Sequence, residues 1–219
     1  MEADALLSAI QRGDLYSVEQ QLVNTPALAG IVADDGTSAL LTALYYGHPT
    51  IAATLIRAGA PVSIFEAAAA GLPERTALLL TARPPLAQDY SRDGWTALHL
   101  AAFFGHAECA VALIDAGASL DAWASNDQMN QPLHTAAAGN HADVVALLLN
   151  HGADVTTSYG EGFTALHAAA QNGNLAIVEL LLDNEAPPHP ALADGRTPLD
   201  LAAEQGHLEI VERLRQMAP

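Results

Sequence analysis

Leucines recur in this chain at a nearly constant period. Leu98, Leu133, Leu166 and Leu199 stand 35, 33 and 33 residues apart, and Leu40 is an earlier copy. A period of that length points to one small unit repeated along an axis. The unit is plainest at 93–118, DGWTALHLAAFFGHAECAVALIDAGA. Asp93-Gly94 is a turn pair, because glycine tolerates positive φ. Thr96 can accept a free backbone N–H and cap the helix that follows. His99, in the first turn, carries polar atoms that can bond across to a neighbour. Ala101 and Ala102 keep one face thin, so another helix can come close. Gly105 ends the helix in the left-handed region. A second helix then runs to Asp115, with Cys109, Ala110, Leu113 and Ile114 on one stripe, and Gly117 ends it. Two short helices with apolar faces on both sides cannot bury themselves alone, so copies must flank them.

Thr96-Ala97-Leu98-His99 with Ala101-Ala102 and Gly105-His106, repeated in phase along nearly the whole chain, resembles the ankyrin repeat, whose signature is T-P-L-H-x-A in about 33 residues. The resemblance implies an all-α fold, a solenoid of stacked helix-turn-helix units with short β-turn fingers, forming a single domain over 1–219. Seven units are expected, at about 4–29, 35–60, 61–82, 93–118, 126–153, 160–186 and 194–219. The first lacks the finger and turns Gln11, Arg12, Glu19 and Gln20 outward. The last carries Glu209, Glu212, Arg213 and Arg215. Both suit terminal caps, which must face water.

The copies are not uniform. Gly13 to Gly47 and Gly71 to Gly105 are each 34 residues, but Gly47 to Gly71 is 24. The ten missing residues fall on the finger of the third unit, so a gap is expected in the row of fingers there. Leu41 replaces the histidine of the second unit. Gln128-Met129 stands where Asp-Gly would. Asn140 takes a helix-ending glycine position, and Glu185 stands where a closing glycine is usual, which puts that turn in question.

The charge is lopsided. The chain has 25 acidic and 8 basic residues, a net charge of −17, and every basic residue is an arginine. Like-charge repulsion between molecules explains this; so does a basic partner. Nucleic-acid binding is disfavoured, since phosphate contacts need a basic patch. The N-terminal MEADALLSAIQRGD puts acid where a secretory signal needs positive charge, and no apolar run reaches membrane-spanning length. Cys109, the lone cysteine, reads as a small core residue. A cytoplasmic protein without membrane contact is expected.

Nine histidines invite a catalytic or metal reading. His99, His134 and His167 share one phase of the repeat; His48, His106, His141 and His207 share another. A residue that recurs with the repeat is explained by the repeat. Asp200, Glu204 and His207 lie on the same frame. No phosphate loop, dinucleotide fingerprint, nucleophile elbow or zinc-protease motif is present. No catalysis, cofactor or metal is expected.

The aromatic residues carry the functional signal. The resemblance implies that the concave face is lined by the residue between finger glycine and threonine, by the finger tips, and by the two residues before Gly-His. Here those places hold Trp95 and Phe163, Trp123 and Tyr159, and Tyr45, Tyr46, Phe103 and Phe104. These are eight of the eleven aromatics in the chain. Aromatics on one surface read as interface anchors; packing between repeats is the competing explanation. Toward the C-terminus the same frame turns polar, with Gln171, Asn172, Glu204, Gln205 and Arg196. The resemblance therefore implies a monomeric, non-enzymatic module that binds another protein on its concave finger and first-helix face. The partner would be basic or carry an apolar or aromatic segment. The alternative is an acidic inhibitor or immunity-type protein that sequesters a basic enzyme.

Overall fold

The computed structural model of the chain describes residues 2–217. Residue 1 and residues 218–219, the end of the seventh unit, lie outside that range. The helices come in antiparallel pairs: α1 (Glu2–Gln11) with α2 (Leu15–Asn24), α3 (Ala39–Tyr45) with α4 (Pro49–Arg57), α5 (Ile64–Ala69) with α6 (Pro73–Ala82), α7 (Ala97–Phe104) with α8 (Ala107–Asp115), α9 (Pro132–Ala138) with α10 (Ala142–Asn150), α11 (Ala165–Asn172) with α12 (Leu175–Asp183), and α13 (Pro198–Gln205) with α14 (Leu208–Arg215). Hydroxyl caps start the first helix of most pairs. Ser38, Thr96, Thr164 and Thr197 accept the N–H three residues on, which satisfies one of the free donors of the first turn.

First helices stack on first helices and second on second. The approach is close because the facing side chains are small: Ala97, Ala101 and Ala102 have no exposed surface, nor do Cys109 and Ala110. Leucines fill the space between layers. Leu98, Leu113 and Leu148 are fully buried, each contributing about 1.5–3 kcal/mol by leaving water. The core is not continuous, however. One cluster runs from Leu6 to Ala60, a second from Leu41 and Ile64 to Leu214, and Leu44 touches both. The division falls between the second and third units, where α3 meets α5 sparingly and α4 scarcely meets α6.

Between pairs the chain reaches out in fingers. Val32 bridges Ser38, Tyr90 bridges Thr96, and β1 (Ser158–Tyr159) pairs antiparallel with β2 (Phe163–Thr164). The third unit has no finger: six residues link α4 to α5. Where glycine is replaced, the backbone keeps its left-handed corner. Met129, Asn140 and Glu185 have φ of 43°, 68° and 67°. The Glu185 turn is thus retained, at the steric cost of an L-residue in that region, about 1–2 kcal/mol.

The second set of histidines ties one repeat to the one before. His48, His106, His141 and His207 each place Nε2 on a backbone carbonyl of the preceding repeat, those of Gln11, Ala69, Phe103 and Gln171, at 2.9–3.4 Å. A carbonyl only accepts, so each Nε2 carries the proton. The rings of His48, His106 and His207 lie over Gly13, Gly71 and Gly173 of the preceding unit, leaving no room there for a Cβ.

Candidate functional site

The missing finger changes the chemistry on both sides of it. In the fourth and fifth repeats the third residue of the first helix is a histidine that reaches the next finger, while in the sixth His167 Nε2 is buried without a hydrogen-bond partner among the described residues. His99 Nε2 donates to the Asn130 carbonyl at 3.0 Å and His134 Nε2 to that of Thr157 at 3.0 Å. Their Nδ1 atoms accept from the N–H of Thr96 and Gln131 at the helix start. After the second unit there is no finger to reach. A histidine at 41 would bury a donor with nothing to accept it; Leu41 instead is buried in the cluster that holds Ile64 and Ala68. In the third unit Glu66 takes the histidine position and is almost fully buried. One carboxylate oxygen caps its own helix through the Ser63 N–H and hydroxyl, and the other accepts from Ser38 of the second unit at 2.8 Å.

The expected gap in the finger row is bridged rather than open. The stem of Arg92 lies against Gly36, so close that a Cβ there would stand 2.7 Å from Arg92 Cδ. The Tyr45 hydroxyl crosses from the second unit to donate to Asp93 Oδ2 in the fourth, at 2.6 Å. Its ring stacks on Phe104 at 5.8 Å between centroids, and Phe104 meets Phe103 edge-on at 5.1 Å. Between these rings the third unit offers only Ala69 and Ala70 at the equivalent places, so nothing bulky keeps them apart.

Seven of the eight aromatics thus divide into two kinds, and Trp123 stands apart. Tyr45, Tyr46, Phe103 and Phe104 flank the shortened unit, with Tyr46 53% and Phe103 43% exposed. Trp95, Tyr159 and Phe163 are half-buried against the first-turn histidines: Trp95 tilts on His99 at 5.5 Å, Tyr159 packs edge-on to His134 at 4.9 Å, and Phe163 stacks on His167 at 5.3 Å. For these three, packing within the stack accounts for much of the ring. Trp123 is exposed on the fifth unit's finger. Tyr90 was not among the eight, yet it is 46% exposed and donates to the Trp123 carbonyl at 3.0 Å. Its signal is positional: it stands six residues before the capping Thr96, where Val32 and Ser158 stand in their own fingers. Arg196 is engaged, with Nε 2.7 Å from Asp194 and a terminal nitrogen 3.5 Å from Glu204.

Arginine, unlike acid, is unevenly distributed between the faces. The first helices α3, α5, α7, α9, α11 and α13 contain no arginine. The finger segments 31–38, 89–96, 121–131, 154–164 and 190–197 hold nine carboxylates and two arginines, Arg92 and Arg196. Arg57, Arg75, Arg213 and Arg215 sit in second helices. The buried histidines near the aromatics stay neutral at neutral pH. Burial pushes His99 down to about 4, and also lowers His106, His134 and His167. Loss of water around its hydroxyl where it meets Asp93, and then the bond to that carboxylate, raises Tyr45, which therefore remains a donor although much of its ring is exposed. Among the described residues no group of three histidine, cysteine or acidic side chains could hold a metal ion, and no helix is long and apolar enough to cross a membrane. The grooves lie elsewhere. One of about 540 Å³ runs between α12 and α14, and one of about 310 Å³ lies beside His106 and Cys109. Neither is lined by an aromatic of the set.

A family model described as ankyrin repeats in three copies matches residues 64–159 and again 156–218, together more than half of the chain. The matched stretch opens at the first residue of α5, where the core divides.

Proposed function

Because the chain belongs to the ankyrin-repeat family, whose members are typically non-enzymatic protein-interaction modules, we propose that it binds a partner protein across the face made by its fingers and first helices. The observation that carries this reading is the exposure of Tyr45, Tyr46 and Phe103 beside the shortened unit, on rings the stack does not need to bury. Exposed aromatic side chains bring large contact area at low entropic cost and dominate binding energy where they are found at interfaces. A photo-crosslinking residue at position 46 or 103 in the full chain, introduced into its source cell, should capture a protein that the same residue at position 78, on α6, does not. Equal capture from all three positions would sink the reading.

A second reading, an acidic inhibitor that sequesters a basic enzyme, gains support from the segregation of arginine away from this face. It requires a stoichiometric complex whose affinity falls steeply with ionic strength. Both readings have the chain acting as a monomer in the cytoplasm; light scattering of the purified chain and cell fractionation test those two points.

A further inference from the structure

We propose that the partner presents an arginine- or lysine-bearing segment that lies across the shortened third unit, with its cation over the Tyr45, Tyr46, Phe103 and Phe104 rings and paired to Asp93. This rests on the reading of the finger and first-helix face as the docking face, and adds where on it the partner sits and what chemistry it brings.

Three observations converge on that place. The first is the charge pattern. The helices of this face carry no arginine, and its fingers expose Asp34, Asp35, Asp121, Asp127 and Asp154. Of its two arginines, Arg196 is paired with Asp194 and Glu204, and the stem of Arg92 is packed on Gly36. Along the row a cationic segment meets nine carboxylates against two arginines, Arg92 being the one beside Asp93, whereas an acidic segment would be repelled.

The second is the ring geometry. Tyr45 and Phe104 stack at 5.8 Å, and Phe103 turns its edge to Phe104. Tyr46, the residue after Tyr45, adds a further exposed ring at the end of α3, and the Tyr45 hydroxyl sets this cluster beside the Asp93 carboxylate. Aromatic faces attract cations held within about 6 Å, most strongly guanidinium. Asp93 receives the Tyr45 hydroxyl at Oδ2 and the Ser91 hydroxyl at Oδ1, which fixes the carboxylate while leaving lone pairs for a cation.

The third is mechanical. Tyr45 and Tyr46 belong to the second unit; Asp93, Phe103 and Phe104 belong to the fourth. The core divides between units two and three. A segment that touches both groups spans that seam, so binding must tie α1–α4 to the rest of the stack.

A display library of random twelve-residue peptides, selected on the full chain, tests the proposal. Enriched peptides should carry two or more arginines or lysines. The best of them should bind at least tenfold more weakly to Tyr46→Ala/Phe103→Ala, several-fold more weakly to Asp93→Asn, and unchanged to Leu78→Ala on α6. Tyr45→Phe, which keeps the ring but removes one of the two bonds that fix the carboxylate, should bind a few-fold more weakly than the parent. Tyr46 and Phe103 are exposed, so their double variant keeps the fold. Hydrogen exchange should slow in α1–α4 when peptide is added. Enriched peptides without basic residues, still lost in Tyr46→Ala/Phe103→Ala, would overturn the cationic partner but keep the docking face. Peptides indifferent to that variant, or no enrichment at all, would overturn both.

Discussion

The Tyr45 hydroxyl donates to the Asp93 carboxylate at 2.6 Å, joining the second unit to the fourth over a unit that has lost its finger. The bond lies at the surface and spans the division between the two core clusters. Its value is therefore modest in size but particular in place. Tyr45→Phe keeps the stack on Phe104 and removes only this bond, so it should cost about 1 kcal/mol. The loss should appear first as faster hydrogen exchange in α1–α4, because repeat arrays fail at their weakest interface. Uniform acceleration across all fourteen helices of the described chain would contradict this.

Leu41 and the missing finger are one feature. The finger would supply the carbonyl that a histidine at 41 needs, as Asn130 and Thr157 do for His99 and His134. Leu41→His should therefore destabilise by about 1–3 kcal/mol, the cost of a buried donor without an acceptor. Urea denaturation measures it. A neutral result would mean that another group can take the proton.

These two cases mark what could be read before the structure. The repeat, its caps and its third-unit deletion were legible because local chemistry enforces them: Thr96 caps, Ala101 thins, Gly105 turns. The deletion and Leu41 were both visible, but not their dependence on each other, which needs the path of His99 to the next finger. Nor could the meeting of Tyr45 and Phe104 be read, since it skips a unit and depends on the small Ala69 and Ala70 between them. The segregation of arginine is written in the residues but becomes visible only once each helix is assigned a layer.

Acid should weaken the stack through its buried histidines. His99 titrates at about 4 when folded, held there by burial, against an ordinary value of 6.5. The unfolded chain therefore binds a proton that the folded chain refuses. The contribution is fully present above about pH 6.5 and is lost progressively down to about pH 4. At roughly 1.4 kcal/mol per unit, His99 alone accounts for about 3 kcal/mol. His99→Gln removes the titration and keeps a donor for the Asn130 carbonyl. It should be less stable than the parent at pH 7, and the difference should shrink as pH falls toward 4. A difference that stays constant over that range would refute the assignment.

Glycine at the two exposed left-handed corners should stabilise. Met129 is 61% exposed and Glu185 is exposed too, so neither side chain buries much area. Relief of about 1–2 kcal/mol of steric cost is partly offset by the greater freedom of glycine in the unfolded chain. The net gain should be about 0.5–1 kcal/mol for Met129→Gly and for Glu185→Gly, read as a rise in the denaturation midpoint. Asn140→Gly should gain less, because asparagine already tolerates the region.

Gly47 and Gly71 separate two reasons for glycine at a helix end. Both have positive φ, 73° and 65°, so alanine strains the backbone by about 1–2 kcal/mol at either site. Only Gly71 has a ring above it: a Cβ there would stand 2.6 Å from His106 Nδ1, while one at Gly47 meets nothing within 4 Å. The difference arises because the third unit has Leu72 where the second, fourth, fifth and seventh carry a histidine. In Gly71→Ala the His106 ring must move, and its Nε2 bond to the Ala69 carbonyl at 3.0 Å goes with it. Gly71→Ala should therefore cost about 1 kcal/mol more than Gly47→Ala. Replacing His106 by alanine as well should remove the excess at Gly71 and leave the cost at Gly47 unchanged. A double-mutant cycle reads that coupling directly; equal costs at the two glycines, with no coupling to His106, would show that backbone strain alone selects glycine here.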